Sequence, residues 1–275
     1  MTTPDPTFYV DENRKLWNAW TGLHEKSRFY NLAGLRAGGL SLRPIELEEL
    51  APAVAGRSML HLMCHFGLDT LSWARLGAEA TGVDLANDAI TTARRIGQEL
   101  GIQARFIESD IYRLPDILSD QFDIVFSSYG VLHWLPDLQQ WAETIAHFLR
   151  PGGFFYLVED HPFMRVFSTD ATDRLDVANP YFFDNAPTRR ESPRSYASDA
   201  ELAEAMPSYT WNHSIGEVIT ALSSAGLTIR FLHEFDFAMR EKLPTMVIGE
   251  DGLWRLPAPF RRSVPMLFSL QAVKT

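Results

Sequence analysis

Cysteine is almost missing: Cys64 is the single one in 275 residues. That excludes an intramolecular disulfide framework and fits a reducing compartment, so a cytoplasmic protein is expected. Basic residues are the minority charge. With 25 Lys and Arg against 35 Asp and Glu, the formal net charge is −10. An acidic chain predicts no nucleic-acid partner, because polyphosphates demand basic patches. No apolar run is long enough to span a bilayer and no signal peptide opens the chain, so no membrane partner is expected either. The G-x-G-x-x-G turn and the Tyr-x-x-x-Lys pair are also lacking. Both absences weigh against a nicotinamide-dependent oxidoreductase. There is no internal repeat and no low-complexity tract.

What is present is apolar and aromatic: 46% hydrophobic and 12% aromatic residues, enough to bury a full core. The organising stretch is 58–84, SMLHLMCHFGLDTLSWARLGAEATGVD. Ser58 to Met63 reads as a buried strand, Cys64-His65-Phe66-Gly67 as a turn, and Leu68 to Leu76 as a helix stopped by Gly77. Ala80 to Val83 is the next strand and Asp84 closes it. Ligands of open α/β sheets bind at that end. An acid there accepts both hydroxyls of a ribose, and a glycine turn lets backbone approach a ligand. The stretch is a nucleoside-cofactor signature.

The alternation continues. A helix is predicted from about Asn87 to Leu100, strands at Gln103 to Glu108 and Phe122 to Ser127, and a helix after Pro136 capped by Asp137 and Gln140. Leu138, Trp141, Ile145 and Phe148 define that helix's buried face. Arg150-Pro151-Gly152-Gly153 turns the chain into a strand at Phe154 to Glu159. Ser214 and Glu217 have capping-box spacing before a helix that ends at Gly226. Leu227 to Phe237 and Pro265 to Val273 are the last strands, with a loop over 240–262 and no helix between them. Parallel neighbours need a crossover, so the final strand is expected to run antiparallel.

Outside this rhythm lie three segments. Residues 1–7 are expected to fray. From Asp11 a helix presents Leu16, Trp20 and Leu23, with Trp17 beside them, and a short helix follows at Ile45 to Val54. This N-terminal part, about 8–55, is either a lid over the site or a cover for a sheet edge. Residues 160–213 hold five prolines, no sustained period and many aromatics, Phe163, Phe167, Tyr181, Phe182, Phe183, Tyr196, Tyr209 and Trp211 among them. They form an irregular insertion on the substrate side. The whole chain, 1–275, is expected to be one domain.

The motifs, in order, are LHLMCHFG, TGVD ending at Asp84, the S-D-I step at Asp110, FDIVFSSYGVLHWL, and LRPGG. Together they resemble the class I S-adenosylmethionine-dependent methyltransferases, over roughly Leu60 to Phe237 and the terminal strand. LHLxCHFG looks like the first motif of a bacterial small-molecule subgroup. The resemblance implies a Rossmann-like, doubly wound sheet of about seven strands, mostly parallel with the last antiparallel. It implies S-adenosylmethionine as cofactor and transfer of a methyl group to oxygen or nitrogen of a small acceptor. Carried over by position, Asp84 holds the ribose, Asp110 reaches the adenine amine, Ile111 packs on the ring, and Gly67 is the third family glycine. Cys64, His65, Leu85, Ser127 and Ser128 flank these positions. The first two family glycines are replaced by Met63 and His65, and the usual acid before them by His61. Asp69 or the N-terminal helix is then a candidate for the amino-acid moiety.

If the acceptor is a hydroxyl, a base must take its proton. His133, after the fourth strand, is the first catalytic candidate; a structural or cofactor-side histidine is the alternative. Tyr129, Trp134, Tyr181, Trp211 and His213 are candidate substrate residues, Tyr209 joining them as a pocket wall, and their aromatic character suggests an apolar or aromatic acceptor. For His213 the alternative reading is a residue that fixes the helix start, and Arg189, Arg190 and Arg194 either pair with an acidic acceptor or form a solvated patch. His61, Cys64 and His65 lack the spacing of a zinc site, so no metal is expected. A non-catalytic S-adenosylmethionine-binding protein is the alternative from another class; Asp84 and Asp110 argue against it. The acceptor and the oligomeric state are not specified by the sequence.

Overall fold

A computed structural model of the chain describes residues 6–182 and 186–275. Residues 1–5 of the expected frayed end, and Phe183, lie outside them. Helix α1 (Pro6–Glu25) opens the described chain, followed by two short helices, α2 (Leu32–Arg36) and α3 (Pro44–Glu49). Then come β1 (Ser58–Leu62), α4 (Leu68–Arg75), β2 (Glu79–Asp84), α5 (Asn87–Leu100), β3 (Arg105–Glu108), β4 (Phe122–Ser128), α6 (Leu138–Phe148) and β5 (Leu149–Asp160). Past these lie β6 (Thr188–Ser195), β7 (Ser198–Thr210), α7 (Ile215–Ser224), β8 (Leu227–Phe235), β9 (Val247–Ile248), β10 (Trp254–Arg255) and β11 (Leu267–Lys274).

Seven strands form one sheet in the order β3-β2-β1-β4-β5-β11-β8. The first five are parallel to their neighbours, and β11 pairs antiparallel with both β5 and β8. The expected doubly wound sheet with an inserted antiparallel last strand is therefore what the chain builds. Chain order reverses direction between β1 and β4, the switch point beside whose carboxyl ends ligands of such sheets bind.

The sheet is buried on both faces, which is why β1, β4 and β5 are continuous apolar runs. On one face Leu60, Leu62 and Val125 pack against Trp141, Ile145 and Phe148 of α6 and Leu222 of α7. On the other, Met59, Ile124, Phe126 and Tyr156 pack with Trp73 of α4 and Leu50. The expected caps form: Asp137 accepts from the Gln140 amide at 2.9 Å, and Ser214 with Glu217 makes a reciprocal capping box.

Three segments differ from expectation. Residues 188–210, read as irregular, form the antiparallel hairpin β6–β7. Its residues are mostly exposed on both faces, so no apolar alternation marks it, and Pro193 and Pro207 disguise it further. The helix expected over Ile45 to Val54 is α3 plus a separate 3-10 turn at Ala51–Ala53, divided near Pro52. The 240–262 loop contains a two-residue ladder between β9 and β10. Helix α1 begins five residues earlier than the predicted Asp11. It lies along β7, where buried Asn13 donates to the Tyr209 carbonyl at 2.8 Å and accepts from its amide at 2.9 Å. No helix among the described residues is long and apolar enough to cross a membrane.

Candidate active site

A cleft of about 210 Å³ opens at the carboxyl ends of β1, β2 and β4. A narrower slot of about 40 Å³ lies beside it, sharing Trp17, Met63, Leu85 and Trp134 as walls. Asp84 lines the cleft, while Asp110 and Ile111 line the slot. Trp17 belongs to α1, so the N-terminal helix walls the cleft as well as packing on the hairpin.

The turn after β1 keeps a glycine geometry with few glycines. Met63, His65 and Gly67 have φ of 59°, 50° and 76°. All three positions are left-handed, a conformation that costs a side-chain-bearing residue about 1–2 kcal/mol. Two contacts offset that cost. The His65 amide donates to Asp84 Oδ2 at 2.7 Å, and the Cys64 amide to the Val83 carbonyl at 2.9 Å. Gly67 is irreplaceable on different grounds: a Cβ there would lie 2.5 Å from Phe106 and 2.9 Å from Ala93. Met63→Gly removes the backbone cost at the loss of some packing, whereas Met63→Val adds β-branching to it. The two variants are expected to differ in denaturant stability by about 2 kcal/mol, valine being the weaker. Equal stability would show that the turn relaxes freely.

Asp84 is buried, and desolvation raises its carboxyl to about 6 against the pull of backbone amides, Ala86 at 2.9 Å among them. Asp110 is also raised by burial and accepts from the Tyr112 amide at 3.0 Å. Asp69, in the first turn of α4, accepts from Ser41 at 2.5 Å and Ser128 at 3.1 Å. Arg43 lines the same part of the cleft. Tyr129 (φ 35°) is pinned by its hydroxyl donating to Glu46 at 2.7 Å, and burial lifts Glu46 to about 7.

At the far wall the buried Glu159, closing β5, gathers the backbone amides of Gly130, Val131 at 2.6 Å and Leu132 at 3.1 Å. It thereby shapes the segment that carries His133. Burial raises its carboxyl to about 7. His133 faces the cleft and is held well below the ordinary imidazole range, first by burial and then by Arg165, Lys242 and Arg240. It is a neutral imidazole at physiological pH. Asp160 pairs with Lys242, and Tyr196, at the hairpin tip, hydrogen-bonds Tyr30. His24 of α1 links the two halves: Nδ1 meets His65 Nε2 at 2.9 Å and Nε2 meets Ser195 Oγ. Burial keeps His24 near 4.

Most sequence candidates converge here. Cys64, His65, Gly67, Asp84, Leu85, Ser128, Tyr129, His133 and Trp134 line the cleft. Five do not line the cleft or slot. Ser127 is fully buried with its hydroxyl aimed at the Leu62 carbonyl, since alternation turns it inward. Tyr181 caps α7, its hydroxyl accepting from the Ile215 amide at 3.2 Å. Trp211 is buried against Tyr9 and donates its amide to the His133 carbonyl at 2.9 Å. His213 is buried on the Leu135 carbonyl at 2.7 Å, beside the helix start. Tyr209 likewise packs against Tyr9, ring centroids 4.9 Å apart and tilted by 52°, and lines neither cavity. His61 bonds Thr70 at 2.8 Å.

The sequence reading missed Glu46, Glu159, Tyr30, Arg240 and Lys242. Glu159 carried a signal: an acid closing the apolar run FFYLV. Glu46 lies in the predicted Ile45 to Val54 helix with nothing local to mark it, and the others lie in segments without a period.

Residues 59–153 match the family model described as a methyltransferase domain. The chain is 30% identical over 119 residues to a ubiquinone biosynthesis O-methyltransferase of Bordetella avium, and 33% over 122 residues to one of Xylella fastidiosa. These alignments cover 42% of this chain and 49% and 48% of the relatives, so the chain spans about half the length of the curated relatives it matches. An S-adenosylmethionine-dependent methyltransferase structure from Mesorhizobium loti is similar at a TM-score of 0.55 and 23% identity. It covers 83% of this chain and 96% of that one. One from Clostridium acetobutylicum has a TM-score of 0.55 at 12% identity, over 95% and 98%. At these identities the structures share the fold.

Proposed function

We propose that this chain, whose residues 59–153 match a methyltransferase-domain family model, is a class I methyltransferase that binds S-adenosylmethionine and methylates an oxygen or nitrogen of a small, apolar or aromatic acceptor. The observation that carries this is the placement of two acids in adjoining cavities at the strand ends: buried Asp84 in the cleft and half-buried Asp110 in the slot beside it. The donor set fits the cofactor. Asp84 suits a ribose diol, Asp110 an adenine amine, Leu85 and Ile111 the faces of a purine. Asp69 and Arg43 suit an ammonium and a carboxylate. S-Adenosylmethionine supplies, when bound, a methyl group already activated on a sulfonium sulfur.

The chain's own part is alignment and exclusion of water. Trp17, Met63 and Trp134 close the region between slot and cleft. Glu159 fixes the 130–132 backbone and so the position of His133. His133, kept neutral first by burial and then by the cations beside it, takes the proton of an acceptor hydroxyl; the same cations favour the acceptor's oxyanion. α1 and the hairpin, joined through His24, act as the lid. In calorimetry, S-adenosylhomocysteine is expected to bind at micromolar concentration and NADH negligibly. Tight NADH binding with no S-adenosylhomocysteine binding would replace this reading by an oxidoreductase. His133→Gln is expected to lower kcat for a hydroxyl acceptor by about 100-fold with little change in cofactor affinity. Near-normal turnover would remove the base.

A further inference from the structure

Resting on the reading above, we propose that the acceptor carries an anionic group, a carboxylate or a phosphate, and that Arg240 holds it. Arg240 lines the cleft on the side of His133 and Asp160, and is absent from the slot. Its guanidinium carbon lies 5.1 Å from the ring centroid of Tyr196, and Tyr196 is in turn tied to Tyr30. Stacking fixes the plane of the guanidinium and leaves its edge of N–H donors free. Among the described residues only a long bond uses that edge, Nη1 to the Glu241 carbonyl at 3.3 Å.

The neighbouring charges are already occupied. Lys242 pairs with Asp160. Both oxygens of Glu159 are filled by backbone amides. Arg165, behind His133, bonds Asn212 and Thr210. Of the hairpin arginines, candidates from the sequence, Arg189 pairs with Glu191 and Arg194 with Glu201 on the surface, and Arg190 is exposed and lines neither the cleft nor the slot. Arg240 has no carboxylate partner among the described residues, in a chain of net charge −10. A pre-oriented fork that faces the cleft and has no acid partner of its own is a recognition element for a planar or tetrahedral anion. The other carboxylate available is the cofactor's own. Arg43 with Ser41 and Asp69 serves that end, so Arg240 is left to the acceptor.

The test uses matched pairs as probes: 4-hydroxybenzoate, 3,4-dihydroxybenzoate and 4-hydroxyphenylacetate, each against its methyl ester. They are titrated into the full chain saturated with S-adenosylhomocysteine, by ligand-observed NMR. The acids are expected to bind about tenfold more tightly than the esters. Arg240→Gln should erase the difference and Arg240→Lys retain part of it, with S-adenosylhomocysteine affinity within about twofold of the parent. Equal binding of acid and ester, no binding by any acid, or an acid preference that survives Arg240→Gln would overturn the proposal. So would an Arg240→Gln variant that loses affinity for S-adenosylhomocysteine but not for 5′-methylthioadenosine, which lacks the carboxylate. If the parent chain binds no S-adenosylhomocysteine, the cofactor reading fails by itself, and the acid–ester contrast measured without it still reads Arg240.

Discussion

Asp84→Ala is expected to weaken S-adenosylhomocysteine binding by about 100-fold or more. Two losses combine. The carboxylate that would take both ribose hydroxyls disappears, and so does the acceptor that holds the His65 amide at 2.7 Å and the Ala86 amide at 2.9 Å. His65 is left-handed without being glycine, so the turn loses the contact that offsets its strain. Asp84→Asn separates the effects, since the amide oxygen still serves one backbone donor while the charge is gone. The acid also sets a pH dependence. Burial raises Asp84 to about 6, and hydroxyl donors favour its ionised form. Binding therefore releases a proton below that pH and weakens as pH falls, by about tenfold at pH 5. Calorimetry across pH 5 to 8 reads this directly. Asp84→Asn should flatten that part of the profile. A variant as tight as the parent, or an unchanged slope, would mean that the ribose lies elsewhere.

Glu159→Ala should be the most damaging change on the acceptor side. It strands the amides of Gly130, Val131 and Leu132 in a buried place. Each unpaired amide costs about 1–3 kcal/mol, so stability should fall by at least about 3 kcal/mol and Tm by about 6–10 °C. The same segment carries His133, and a displacement of about 1 Å at a reacting group costs on the order of 100-fold in rate. Where the alanine variant fails to accumulate, Glu159→Gln keeps the shape and one acceptor oxygen. It should fold with normal S-adenosylhomocysteine affinity and a depressed kcat. Unaltered melting and turnover in both variants would show that the 130–132 backbone holds itself.

Much of this was readable in the chain because it rests on local rules. Alternating apolar runs, glycine stops and capping boxes mark β1 through β5 and α4 through α7. The missing crossover after β8 foretells an antiparallel β11. The two acids sit at strand ends, where position alone assigns them. The turn is subtler: Met63 and His65 look like departures from a glycine pattern, yet their backbones keep the glycine conformation because Asp84 holds it. What stayed hidden depends on long-range placement. The hairpin is a two-sided, exposed ribbon without an apolar face. Tyr30, Tyr196 and Arg240 meet from three distant segments, and no spacing encodes that meeting. Tyr181, Trp211 and His213 failed as pocket residues because an aromatic or imidazole in an irregular segment is equally suited to bracing it, and here they brace α7 and the His133 segment.

The central claim is one cofactor position: ribose on Asp84 and purine in the slot beyond it. The crystal structure of the complex with S-adenosylhomocysteine tests it most directly. The account predicts both ribose hydroxyls on the Asp84 carboxylate, and the adenine between Leu85 and Ile111 with its amine at Asp110. It also predicts the amino-acid end among Ser41, Arg43 and Asp69. Adenine density beside Tyr196 and Arg240, with the Asp110 slot still closed, would contradict it.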